Sequence, residues 1–155
     1  MRTASALLCL LLLTAGCSSG RDATPAASKA DPGVPLGELP PQTLGQGQCA
    51  LFLWSRSEPP RRVFMALNSP AVARVRIGGR TVDLPRTSFE GESAFGHYPE
   101  QRFAGEGVTL SMQVEIEARG ALVGGAVAPS GTLTFADRSG ESVVLPVAGL
   151  VACQS

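Results

Sequence analysis

Histidine occurs once in this 155-residue chain, at His97, and lysine once, at Lys29. A lone imidazole leaves nucleophile-and-base catalysis only through His97. No Gly-x-Ser-x-Gly elbow accompanies it, so an enzyme using His97 is the weakest of the functional readings. The chain also lacks the clustered Asp/Asn/Glu loop that calcium needs. The glycines Gly120, Gly124 and Gly125 have neither the following lysine nor the helix of a phosphate cradle. No metal and no cofactor is expected. Lysine plus arginine count 13 and aspartate plus glutamate 13, so no basic field exists to hold nucleic acid. Nor does any stretch beyond residue 20 carry a helical apolar stripe or a long apolar run.

One apolar run is present, Ala4 to Leu13. It follows Arg2 and precedes the small residues Thr14, Ala15 and Gly16, which is signal-peptide anatomy. About ten residues of helix cover roughly 15 Å, half of a bilayer core of about 30 Å, too little for a permanent span. The stretch Leu13-Thr14-Ala15-Gly16-Cys17 resembles the bacterial lipobox, with Thr14 where leucine is usual. The resemblance implies cleavage after residue 16 and a diacylglycerol thioether on Cys17. Two or three acyl chains on one cysteine, at about 0.8 kcal/mol per buried methylene, would anchor the protein to a membrane stably. Ser18 stands where aspartate marks inner-membrane retention, so the resemblance points to the outer membrane, facing the periplasm. The alternative is an ordinary secretory signal with Cys17 an incidental thiol.

Cys9 would leave with the signal and Cys17 would take the lipid, which leaves Cys49 and Cys153. Two thiols bracketing the folded part in an oxidising compartment read most simply as one disulfide. In the chain-entropy model, a loop of about 105 residues is worth roughly 4 to 5 kcal/mol. Two buried free thiols are the alternative. From 17 to 45 the chain is rich in Ala, Pro, Ser, Gly and Asp without apolar periodicity, and it reads as a lipid-anchored flexible tether. A single domain is expected from 46 to 155.

That domain reads as strands. Gln48 to Ser55 has apolar residues on both faces, as in a central or wrapped strand. Arg62 to Leu67 follows, then Val72 to Ile77 and Arg80 to Leu84 joined by the tight turn Gly78-Gly79. Val108 to Arg119 alternates strictly. Ala126 to Ala128 and Gly131 to Ala136 precede the hairpin Asp137-Arg138-Ser139-Gly140. The last strand, Glu141 to Cys153, is interrupted by Pro146 and Gly149, which suggests an edge or a bulge. Seven or eight short strands in about 110 residues indicate an all-β antiparallel sandwich or small barrel, closed by the disulfide.

The densest chemistry lies in Phe95 to Phe103, within the longest stretch lacking strong periodicity. Phe95, His97, Tyr98, Arg102 and Phe103 form the candidate binding set, because aromatics and arginine on a loop are the usual anchors of an interface. The competing reading has Phe95 and Phe103 plugging the end of the core while His97 and Tyr98 cap the sheet. Arg56, Arg61 and Arg62 around Pro59-Pro60 read as a solvated turn. A non-enzymatic envelope lipoprotein is the leading expectation. Its β domain would bind an envelope protein or a peptidoglycan-related partner, or serve envelope assembly or integrity. The lipobox, the small all-β domain and the two cysteines also make the chain broadly similar in architecture to membrane-bound lysozyme inhibitors. That resemblance implies inhibition of a peptidoglycan hydrolase, but the Ser-Gly-Ala-Arg-Tyr loop of that family is missing here.

Overall fold

The computed structural model describes residues 35–155. The expected signal, Cys17 and most of the expected tether lie outside the described residues. Nine strands follow one another: β1 Leu36–Gly37, β2 Cys49–Ser55, β3 Arg62–Leu67, β4 Val72–Ile77, β5 Arg80–Glu90, β6 Glu100–Gly105, β7 Val108–Val114, β8 Gly125–Ala136 and β9 Ser142–Cys153. Strands β2 to β9 each pair antiparallel with the next in sequence, and β9 returns to pair with β2. The result is a closed eight-stranded up-and-down barrel, which abolishes sheet edges along its circumference. The short β1 adds to β4 where β3 leaves it, pairing Leu36 with Ile77 and Gly37 with Arg76.

Closure falls on the β2–β9 seam. Its register puts Cys49 directly opposite Cys153, and the two form a disulfide with their Cα atoms 4.0 Å apart. Here the strands run so close that a Cβ on Gly149 would collide with the Phe52 carbonyl. β9 is therefore not an edge strand. The irregularity expected in it lies across the ladder instead, between Ala128 and Gly131 of β8, where Pro129 has no N–H to donate.

Inward-facing side chains fill the barrel. Leu51, Phe64, Leu84, Phe103, Leu110 and Leu133 are fully buried in one cluster, and Phe64 meets Phe103 edge-to-face at 5.7 Å. An eight-stranded barrel is just wide enough for such a core, and each buried Leu or Phe contributes about 1.5 to 3 kcal/mol. The outer face of β2 is also covered. Leu39 joins Ala50, Phe52 and Met65 in a second cluster, with Leu44 and Trp54 packed against it.

The two clusters together move the expected tether boundary, Leu36 packing into the barrel cluster and Leu39 with Leu44 into the second. Residues 36–45 belong to the folded unit, because Leu36, Leu39 and Leu44 are spaced without a period yet each finds an apolar face to cover. Arg62 fastens this wrap by donating to the carbonyls of Leu39 and Pro40, and Arg61 is buried. Of the expected solvated arginines, only Arg56 is exposed. The chain thus joins the barrel beside the Gly78-Gly79 turn, whose two positive φ angles of 56° and 82° suit a two-residue hairpin. It then runs along the outer wall to the opposite end, where β2 begins.

Two other boundaries differ from the sequence pattern. β7 ends at Val114, and the alternation beyond it continues only through separate contacts, Glu115 N–H to Ser130 O and the Glu117–Val127 bridge. β6 lies inside the stretch that shows no periodicity, because its inward positions are Gln101 and Phe103, and a buried glutamine reads as polar.

Candidate functional site

The end of the barrel that carries the disulfide also carries the β5–β6 connection. β4 pairs with β5 only as far as Pro85, after which β5 runs on beside β6 alone to the Glu90–Glu100 pair, with a bulge between Arg86 and Ser88. Segment 91–99 then folds back over the barrel end. Ala94 and His97 exchange backbone hydrogen bonds of 2.8 and 3.0 Å around a turn in which Phe95 (φ 55°) and Gly96 (φ 78°) are left-handed. Gly96 packs so closely on Asn68 that a Cβ would come within 2.8 Å of the Asn68 side chain. Asn68 in turn accepts from the Cys49 N–H at 3.1 Å. The loop is clamped against the seam rather than projecting.

This clamp carries His97 inside, where it is 0 % exposed. Burial pushes its pKa down from 6.5 to about 4, and the charge of Arg86 adds to the depression. The Cys49 carbonyl faces the ring and opposes part of the shift, but neither ring nitrogen makes a hydrogen bond of acceptable geometry. The imidazole is neutral at ordinary pH and shielded from solvent.

Outside the clamp stands an aromatic and cationic stack. Phe89 and Tyr98 stack with ring centres 4.1 Å apart and planes 30° from parallel. The Arg86 guanidinium lies 5.0 Å from the first ring and 5.1 Å from the second. Its Nη1 donates to Gln101 Oε1 at 2.9 Å, and Gln101 Nε2 donates to the Tyr98 carbonyl at 3.1 Å. No carboxylate among the described residues pairs with Arg86. Phe89 is 51 % exposed and Phe95 38 % exposed. A phenylalanine at positive φ is strained by about 1 to 3 kcal/mol, so the fold accepts strain at a residue whose ring remains partly in water.

From Phe89 a shallow groove of about 270 Å³ extends over the outer wall of β5 to β8. Its floor follows from register. Ser88, Arg102, Ser111 and Thr134 are successive cross-strand partners, and so are Glu90, Glu100 and Gln113. Both rows point away from the core.

The five candidate residues therefore separate. Phe95, Tyr98 and Arg102 reach the surface, whereas His97 and Phe103 are buried and cannot serve as contacts, Phe103 because it is an inward position of β6. Plug and contact coexist, but the plug is His97 with Phe103 rather than Phe95 with Phe103. Sequence reasoning missed Arg86 and Phe89, since it ends at Leu84 the strand that in fact runs on to Glu90 and bears them. An exposed phenylalanine within Thr87-Ser88-Phe89-Glu90 was the available signal. Among the described residues no three His, Cys, Asp or Glu side chains gather as metal ligands, and no helix is long and apolar enough to cross a membrane. Comparison of the chain with protein-family models, curated proteins and solved structures gives no match.

Proposed function

We propose that this protein is a non-enzymatic, lipid-anchored envelope protein whose barrel recognises another envelope component through the β5–β6 end. The observation that carries this reading is the half-exposed Phe89–Tyr98–Arg86 stack, built of the residue types that dominate binding interfaces. Two features support it. The interior is packed with side chains, which leaves binding to the outer surface and the ends. In addition, the chain joins the barrel at the Gly78-Gly79 end, so a tether from Cys17 would attach opposite the stack and leave it directed away from the anchoring membrane.

The reading as a hydrolase inhibitor, suggested by architecture, asks for a projecting loop that enters an active-site cleft. The fold-back of 91–99 onto Asn68 counts against it. The test is capture of envelope material by the full lipidated chain, compared with a Tyr98→Ala, Phe89→Ala variant of unchanged melting temperature. The reading expects the double variant to lose at least about tenfold in capture. Undiminished capture would reject it.

A further inference from the structure

We propose that the last stretch of β5, residues 87–90, is a docking edge, joined as an added strand by an extended peptide segment of a partner protein whose side chains alternate apolar and cationic. This rests on the recognition reading above and names how the partner is held. The pairing of β4 with β5 goes only as far as Pro85. One more bond follows, from the Arg86 N–H to the Ala71 carbonyl at 2.9 Å. Beyond it β5 has β6 on one side and, among the described residues, no strand on the other. Thr87, Ser88, Phe89 and Glu90 are all exposed. An uncovered strand edge is a template for pairing with another chain.

Which backbone groups are free follows from the pleat. In an antiparallel ladder, residues alternate both in the face they present and in the neighbour their N–H and C=O address. Val82 and Leu84 face the core, and Arg86, next on that side, sends its N–H towards β4. The bulge between Arg86 and Ser88 adds one residue. Phe89 therefore returns to the core side, in one row with Gln101 and Met112, where it stacks on Tyr98 at the barrel end. Its N–H and C=O point to the side that β4 has left, and no loop residue takes either. An added strand would bond both. The side chain opposite Phe89 would fall on the same face, beside the Phe89–Tyr98 stack, which calls for an apolar residue there.

The adjacent positions of the added strand would face outward. The one opposite Glu90 meets a carboxylate whose other cross-strand neighbour is Glu100, and like charges so placed are destabilising. A cation there completes the row and offsets the repulsion. Glu92, exposed two residues further on, strengthens the same preference. The bulge and these carboxylates blunt the edge against indiscriminate pairing, so it admits a cationic strand best. A second copy's β5 is a poorer occupant. Setting Phe89 against its own counterpart would place each Glu90 opposite a Ser88, which brings no cation.

The test titrates the full chain, as a bacterium processes it and held in detergent, with the synthetic peptide Val-Lys-Val-Lys-Val-Lys-Val, blocked at both ends. Binding is read by NMR from amide hydrogen exchange at Phe89. The proposal expects the peptide to slow that exchange. Methylating the valine nitrogens, which would face β5, should weaken binding at least about tenfold, while methylating the lysine nitrogens should not. A peptide with glutamate in place of lysine should bind at least about tenfold more weakly, and a Glu90→Lys, Glu92→Lys double variant should reverse that preference. Both positions are exposed, and the melting temperature verifies the fold. Failure of the lysine peptide to bind would overturn the proposal, as would equal binding of the valine-methylated peptide or an unreversed preference in the double variant. Protection of Phe89 that grows with protein concentration and needs no peptide would also overturn it, in favour of a second copy. If the lysine peptide fails while residue 98 still crosslinks to an envelope component, the added-strand assignment falls and the recognition reading stands.

Discussion

The guanidinium of Arg86 lies 5.1 Å from the centre of the Tyr98 ring, and through Gln101 the same side chain reaches the Tyr98 backbone as well. One cation thus holds both the ring and the main chain of the exposed tyrosine. A half-buried cation–π contact is worth about 0.5 to 2 kcal/mol, and a hydrogen bond from a charged donor about 1.5 to 3 kcal/mol. Arg86→Leu is expected to lower stability by about 2 kcal/mol, read by urea denaturation. It should also raise hydrogen exchange in segment 91–99 more than elsewhere.

Cys49 and Cys153 close the barrel at directly opposed positions across a sequence separation of 104. Loop-closure entropy for a ring of that length predicts about 4 to 5 kcal/mol. The Cys153→Ser variant should therefore melt well below the wild type by calorimetry, and reduction of the wild type should produce a loss of similar size. An unchanged melting temperature would show that strand pairing alone closes the seam.

His97 should make stability depend on pH. Its folded pKa, about 4, lies below the ordinary 6.5, so between those values the unfolded chain binds the proton more readily. The stability due to neutral His97 is complete above pH 6.5 and falls as pH drops towards 4, by roughly 3 kcal/mol in total. Urea midpoints at pH 7 and pH 4.5 measure it. A His97→Met variant, which fills the site without titrating, should lose that part of the pH dependence and retain only the contribution of the carboxylates.

The anchor has its own test. The lipobox-like run predicts a diacylated Cys17 by mass spectrometry of protein expressed in a bacterium, together with partition into detergent-solubilised membrane. Cys17→Ser should release the chain or block processing. An unmodified Cys17 on the mature protein would remove the membrane from the account.

Much of the barrel was legible because its pattern is local. The period of two in β4 and β7, the Gly78-Gly79 turn, and the two apolar faces of β2 each follow from neighbouring residues. What stayed hidden depends on distant partners. β6 is masked by Gln101, which is buried only because Arg86 and the Tyr98 carbonyl satisfy its amide. Leu36 and Leu39 look like tether until the barrel cluster beside β4 takes up Leu36 and the outer face of β2 and β3 gives Leu39 a surface to cover. The site divided in the same way. Tyr98 and Arg102 stood out by type, whereas Phe89 and Arg86 join them only through a β5 that continues past Pro85, and the fold-back that buries His97 depends on Asn68.

The central claim, recognition through the β5–β6 end, is tested most directly by photo-crosslinking in the native envelope. A photoreactive phenylalanine replaces Phe89, Tyr98 or, at the opposite end, the exposed Arg80. The account predicts a discrete adduct from positions 89 and 98 and none from position 80. Adducts from position 80 alone, or equal labelling from both ends, would contradict it.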